Sequence, residues 1–456
     1  MNDIIKNENL QLILDTNNEF LMIPSFLNGF KNTNTIINKR VEDEKTVYCF
    51  EGTLLENKED RICPNCGSIM HIHNSKDTLL KHLPFGDKMT LVLFKKHQFY
   101  CENCHHSEMQ NIPFKASKHR ITQELYNYVI TLLSKGVYTL KEVSYLTGVN
   151  KDVVKEIDLD RLKELYTDNG EKLKIPKQAN FLGIDEFKLH DGYKYATHII
   201  NLETGEVLFV AKGKKKQVVY DFMELVGSDW MKNVIAVACD MNSDFEEAFK
   251  DKCPHIKIVF DHFHIVKNFN EKVVSEVRKD EQKRLKEEGN EEAAKALKGS
   301  RYILTSNRST LQRKDKEAKE GKVIQKESTL FKEEQVTRKY GYENKLDELI
   351  QNNTLLFTAD LIKEKLRYAY TLSNEEQMRK EIQEIIDLCK DTENKHFLWF
   401  SRLLENHIDG IITHATYKIS SGKIEGINNK IKTLRRQGYG YPDDEYFFLK
   451  IIDISR

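Results

Sequence analysis

No apolar run in this chain approaches the roughly 18 residues that a membrane-spanning helix needs. The N-terminal stretch MNDIIKNENLQLIL carries acids and lacks the basic-then-apolar order of a signal peptide. Those two absences predict a cytoplasmic protein with no membrane partner. Charge of one sign is missing as well: Lys plus Arg and Asp plus Glu both total 71 of 456 residues. Net charge therefore gives no global sign of nucleic acid, although a multidomain chain can segregate its charges by segment. With 39% apolar and 31% charged residues the chain is neither disordered nor membrane-embedded. Its length points to two to four domains.

Cysteine is sparse, and half of it is patterned. Cys63-Pro-Asn-Cys66 and Cys101-Glu-Asn-Cys104 are two C-x2-C knuckles separated by 34 residues. In a cytosolic chain such thiols are ligands sooner than disulfides. Two knuckles predict one tetrahedral, four-sulfur structural Zn²⁺ with no open position for chemistry, as in a zinc ribbon. His71, His73, His105 and His106 are alternative ligands. Leu79–Leu83 and Met89–Phe94, around Pro84-Phe85-Gly86-Asp87, read as a hairpin between the knuckles. We place the ribbon at 61–115, after a mixed segment over 1–60 that holds no sharp motif.

Thr122–Lys135 has helical apolar spacing and stops at Gly136. Thr139-Leu-Lys-Glu142 is a capping box, Gly148 breaks that helix, and Asn150 caps another running to Ile157. Helix, glycine turn, helix over 118–165 is either a helix-turn-helix or an ordinary helical hairpin. The neighbouring ribbon favours the DNA-binding reading, with Lys151, Asp152 and Lys155 as exposed positions on the second helix.

After a polar linker over Tyr166–Gln178, Phe181–Leu189 (FLGIDEFKL) is an apolar strand interrupted by Asp185 and Glu186. A buried carboxylate costs several kcal/mol unless paired or bound to a cation, so these acids need partners elsewhere. Strand alternation leaves open which of the two is functional. Tyr195–Leu202 and Glu206–Ala211 follow as hairpin-linked strands, then helix Gln217–Val226 and the apolar strand Val234–Cys239 ending in Asp240. Ser243–Lys250 reads as a helix and Ile256–Phe260 as a strand. Asp261-His262-Phe263-His264 opens a helix through about Arg278. Three antiparallel strands followed by α/β alternation is the order of a ribonuclease H-like fold, placed at 179–278.

Proline is absent from Lys279 to Asn394, where dense charge predicts helices with a loose stretch at Ser306–Ser328. We read 279–410 as an α-helical insertion and 411–456 as the catalytic domain's second part. In Ser420–Gly440, Ser421 is the expected cap, and Gly438 and Gly440 the stop. Ile424, Ile427, Ile431 and Leu434 form an apolar stripe. Glu425 heads the other face, with Asn428, Asn429, Lys432, Arg435 and Arg436 suited to a phosphate backbone. Asp185, Asp240 and Glu425 would then converge. Converging carboxylates call for Mg²⁺ or Mn²⁺, two ions in a phosphoryl-transfer site. His262 and His264 read as helix-start residues in preference to metal ligands, Trp399 as insertion core in preference to a base-stacking platform, and Cys239, Cys253 and Cys389 as buried apolar groups.

The CPNC…CENC pair, GIDEF at 183–187, CDMNSDFEEAFKDKCP at 239–254, DHFHIVK at 261–267 and EGINNKIKTLRRQGYGY at 425–441 resemble transposases of the ISL3 family of bacterial insertion sequences. The resemblance covers most of the chain. It implies a DDE triad at Asp185, Asp240 and Glu425, and so selects Asp185 over Glu186. It also implies binding of terminal inverted repeats by the N-terminal modules, with strand cleavage and transfer into target DNA. Ser420-Ser421-Gly422 departs from the family's Ser-Asn-Gly. Bringing two element ends together implies a homodimer or larger assembly. The competing readings are a zinc-ribbon DNA-binding regulator with an inactive nuclease-like domain, and a ribonuclease H-like nuclease without strand transfer.

Overall fold

The structure is a computed structural model that describes residues 10–14, 20–24, 27–39, 46–55, 58–192, 194–241, 243–321, 323–329, 332–337, 341–420, 422–438 and 441–456. The expected cap Ser421 and stop Gly440 lie outside the described residues. The chain is mixed α/β and divides into two compact units, 1–174 with 434–450, and 175–433 with 451–456. Among the described residues no helix is long and apolar enough to cross a membrane.

In the first unit, β1 (Phe30–Lys39), β2 (Thr46–Leu54), β3 (His71–Phe85) and β4 (Lys88–Tyr100) form one sheet in the order β1-β2-β4-β3. The hairpin β3–β4 between the cysteine knuckles is as expected, with longer strands. The boundary expected at residue 60 does not divide the sheet, because β2 pairs in parallel with β4 from Val47↔Met89 to Gly52↔Phe94. Leu27, Leu80, Val92, Phe94, Ile112 and Phe114 form the core beneath it.

Three helices follow: α1 (Gln123–Ser134), α2 (Leu140–Thr147) and α3 (Lys151–Tyr166). The capping box at Thr139 and Glu142 is present, and Asn150 caps α3 through Asp152 N. Gly148 ends α2 in the left-handed region at φ 66°, a conformation that favours glycine. Helix α3 runs nine residues past the expected Ile157 because Asp158 and Arg161, polar residues on its inner face, neutralise each other at 2.8 Å. Asp158 is fully buried and also accepts from Tyr446 Oη at 2.6 Å, with Lys450 Nζ at 3.1 Å. Residues 434–450, expected in the catalytic domain, thus group with this helical trio.

The second unit holds a five-stranded sheet of β5 (Phe181–His190), β6 (Lys194–Asn201), β7 (Val207–Lys212), β8 (Ala236–Cys239) and β9 (Lys257–Phe260), in the order β7-β6-β5-β8-β9. The first three strands are antiparallel, and β5, β8 and β9 run parallel. Helices α4 (Lys216–Val226) and α5 (Ser243–Lys252) alternate with the strands. From His262 a helix runs to Glu287 with a π-helical stretch over Phe269–Val274.

Beyond it the chain is mainly helical. Arg308–Lys319, within the stretch expected to be loose, is a helix, and Val323–Thr329 pairs antiparallel with Lys332–Thr337. Helices α6 (Thr354–Ala369), α7 (Glu375–Asp391) and α8 (Lys395–Ile412) precede α9 (Gly422–Gln437) and the terminal α10 (Asp444–Asp453).

Candidate active site and metal centre

Strand β5 is central because apolar residues fill both of its faces, and the site is built on one of them. Side chains alternate along a strand, so Gly183, Asp185 and Phe187 share a face. Helix α9 lies against that face. A Cβ at Gly183 would come within 2.8 Å of the side chains of Ile424 and Leu202, so any larger residue would force those side chains to shift. Ile424, Ile427, Ile431 and Leu434 are buried as expected. One turn beyond Ile424, Asn428 Nδ2 donates to Asp185 Oδ2 at 2.7 Å. Asp185 Oδ1 accepts the backbone N–H of Glu186 at 2.8 Å. Asp185 therefore faces the helix that carries Glu425, and Glu186 faces the other way.

Strand β8 runs beside β5, with Ile184 opposite Cys239. Asp185 and Asp240 are the next residues of the two strands. The Asp240 carboxylate accepts Met241 N–H at 2.7 Å, and His264 Nδ1 stands 3.4 Å from the same oxygen. Burial pushes the Asp185 carboxyl above the ordinary carboxylate range, and Asp240 adds to the rise. The bonds from Asn428 and Glu186 N–H and the charge of His264 pull the other way. Glu186 is raised too, by burial first and then by its two aspartate neighbours, against Lys214.

Glu425 is exposed in the first turn of α9, three residues before Asn428. All the donors offered by Asp185, Asp240 and Glu425 are carboxylate oxygens, the hard ligands that Mg²⁺ and Mn²⁺ take. Asn428 Oδ1 adds a buried acceptor that has no hydrogen-bond partner among the described residues. The donor types suit a divalent cation of that class, but the three carboxylates are not drawn tightly together: among the described residues only the four cysteines stand close enough to hold one ion.

The cysteine cluster is tighter. Cys63, Cys66, Cys101 and Cys104 place their sulfurs within 4.8 Å of one another, the one such group of three or more among the described residues. Cys63 Sγ lies 3.4 Å from Cys104 Sγ, and Cys66 Sγ 3.5 Å from Cys101 Sγ. A tetrahedral ZnS₄ site with 2.3 Å bonds has sulfurs about 3.8 Å apart, so the cluster fits zinc. Side-chain and backbone hydrogen bonds from Ser68 lower the Cys66 thiol, while Cys104, despite a backbone bond from His106, is raised on balance by the neighbouring thiols, so one proton is held more loosely and another more tightly within the cluster. The histidines stand outside this set: His105 bonds Tyr100 Oη at 2.7 Å, His106 lies 3.3 Å from Asn65, and His73 packs on Tyr100.

Other expected site residues divide. Lys151 and Asp152 are exposed on α3, whereas Lys155 is bound to Asp443 at 3.0 Å and does not stand free for a phosphate. On α9, Asn429, Lys432 and Arg436 are exposed and Arg435 is half-buried. Asn428, expected among the DNA contacts, is turned onto Asp185 instead. His264, expected as a helix-start residue, sits beside Asp240, while His262 packs edge-on against half-buried Tyr370 at 4.7 Å. Trp399 is 39% exposed, on a cavity of about 540 Å³ with Lys272 and His396, and is not a core residue. Cys239, Cys253 and Cys389 are buried, as expected.

Comparison with known proteins gives a consistent picture. Residues 182–451 match the model of the ISL3 DDE family, described as "Transposase". Residues 59–104 match one described as the "zinc-finger of transposase IS204/IS1001/IS1096/IS1165". The chain is 25% identical over 391 residues to the transposase for insertion sequence element IS1001 of Bordetella parapertussis, covering 86% of this chain and 87% of that one. It is 22% identical over 288 residues to the transposase for IS1557 of Mycobacterium tuberculosis, 59% of each.

Proposed function

Because the chain belongs to the ISL3 family of transposases, we propose that it cleaves and joins DNA strands with Asp185, Asp240 and Glu425 as its acids. The observation that carries this reading is the junction of β5 and β8. The two aspartates directly follow paired residues of adjacent parallel strands, and the helix of Glu425 is bonded to the first of them. The strand order, three antiparallel then two parallel, supports a ribonuclease H-like domain over 179–278. Residues 279–410 form its helical insertion. The domain resumes over 411–456, apart from the stretch that groups with the first unit.

Asp185, Asp240 and Glu425 would hold two Mg²⁺ or Mn²⁺ ions. Such ions, when bound, activate an attacking oxygen and stabilise the leaving oxygen at phosphorus. The protein's own part is placement. Asn428 and the Glu186 N–H fix the plane of the Asp185 carboxylate, and His264 stands against Asp240. Asn429, Lys432, Arg435 and Arg436 line the same helix as Glu425 and suit the strand's phosphates. The zinc ribbon (61–115) and the helical trio (118–165), through Lys151, bind terminal inverted repeats. Water cleaves the strand at the element end, and the freed 3′-hydroxyl attacks target DNA. Two ends must meet, so the working species is a dimer or larger.

The test is strand cleavage and joining on terminal-repeat DNA by the purified chain with Mg²⁺. Wild type is expected to do both and Asp240→Ala neither. Equal activity of the two would overturn the assignment of the acids. Binding without any cleavage would make the chain a regulator, and cleavage without joining a nuclease.

A further inference from the structure

We propose that Asn428 is a positioning residue of the catalytic site, ordering Asp185 for its cation, and not a DNA contact. The inference rests on the reading of Asp185 given above. On α9, Asn429, Lys432 and Arg436 turn outward, as a phosphate-binding stripe requires. Asn428 breaks rank: it is half-buried, and its amide reaches Asp185 Oδ2 at 2.7 Å. An ionised carboxylate only accepts hydrogen bonds, so the amide must present its NH₂ there. The opposite orientation would set two acceptors against each other.

Two consequences follow. The carboxylate of Asp185 receives one donor on each oxygen, Glu186 N–H on Oδ1 and Asn428 on Oδ2, which stops rotation about its Cβ–Cγ bond. Each oxygen keeps a free lone pair for a cation. The carbonyl Oδ1 of Asn428 is buried and has no hydrogen-bond partner among the described residues. Because Asn428 lies one turn from Glu425, the same bond sets the register of α9 along β5. It thus ties two of the three acids together.

Partners that orient metal ligands typically change metal affinity 10–100-fold when removed. Asn428→Ala is therefore expected to weaken Mn²⁺ binding to the DNA-free full chain by about tenfold or more, read by electron paramagnetic resonance. The Mg²⁺ concentration for half-maximal cleavage should rise in step. Affinity for terminal-repeat DNA without a divalent ion should stay at the wild-type value. A wild-type Mn²⁺ affinity in the folded variant overturns the proposal. So does reduced repeat affinity with an unchanged Mg²⁺ requirement, the signature of a DNA contact. Should the alanine variant fail to fold, Asn428→Leu fills the same space without a donor, and the same two outcomes decide. Asp185→Asn separates the layers. If it binds Mn²⁺ and cleaves like wild type, the reading of the acids fails. If it loses Mn²⁺ while Asn428→Ala keeps it, only the role of Asn428 fails.

Discussion

The two metal-suited regions of this chain differ in how nearly finished they are. Four thiols stand together with two of them, Cys63 and Cys101, almost wholly enclosed. The carboxylates are spread over two strands and a helix, with Glu425 in solvent and Asp240 half-exposed. Thiols carry less charge than carboxylates and pack like small apolar groups, so a fold can assemble them in advance. Ionised carboxylates repel, and each is instead held singly: Asp185 by Asn428, Asp240 by Met241 N–H and His264. A closed sulfur site holds structure together, while an open oxygen site leaves room for a phosphate and a nucleophile.

Breaking the sulfur site should have the largest effect. Structural zinc binding is worth on the order of 10 kcal/mol in small zinc modules. Cys101→Ser should therefore abolish stoichiometric zinc, measured by native mass spectrometry, together with the repeat-DNA affinity of the N-terminal region. A variant that keeps one zinc per chain and its DNA affinity would erase the contrast between the two sites.

Breaking the oxygen site should leave the fold alone. Metal ions contribute several kcal/mol to such transition states, so Asp240→Ala is expected to lower strand cleavage by roughly a thousandfold. Its melting temperature without metal should not fall.

A pH titration sharpens the contrast. The folded protein holds the Asp185 proton more tightly than the unfolded chain, through burial. Stability from this residue is therefore full at low pH and is lost as pH rises from the ordinary carboxylate value through the raised one. Asp185→Asn should melt higher than wild type at neutral pH without metal, and the gap should close below about pH 4. A gap that is constant with pH would show that the carboxylate is not destabilised by its surroundings. The smallest effect belongs to Lys155→Ala. Its half-exposed pair with Asp443 is worth at most about 1 kcal/mol. Repeat-DNA affinity, measured by fluorescence anisotropy, should change less than for Lys151→Ala.

What the sequence disclosed follows local physics. Knuckle spacing announced the four thiols, the capping box and Gly148 announced the turn of the helical trio, and the apolar run around Asp185 announced the central strand. Each of these signals is complete within a few residues. What it concealed depends on partners far away in the chain. Asparagine at 428 suits a phosphate or a carboxylate equally, and only the seating of α9 on Gly183 decides between them. Nothing local marks Asp158 on α3, because its partners Tyr446 and Lys450 lie nearly three hundred residues on. Strand alternation alone did not separate Asp185 from Glu186; the family motif made that choice, and the face covered by α9 agrees with it.

Gly183 makes the spacing of the acids depend on an atom that is not there. Its bare Cα sets the clearance between strand and helix, so side-chain volume at this one position acts as a shim under Glu425. A methyl would press on Ile424 and Leu202 at once. Glycine, alanine and valine there should give a graded series of transposition frequencies with every acid intact. Element mobility would then be adjustable by packing alone.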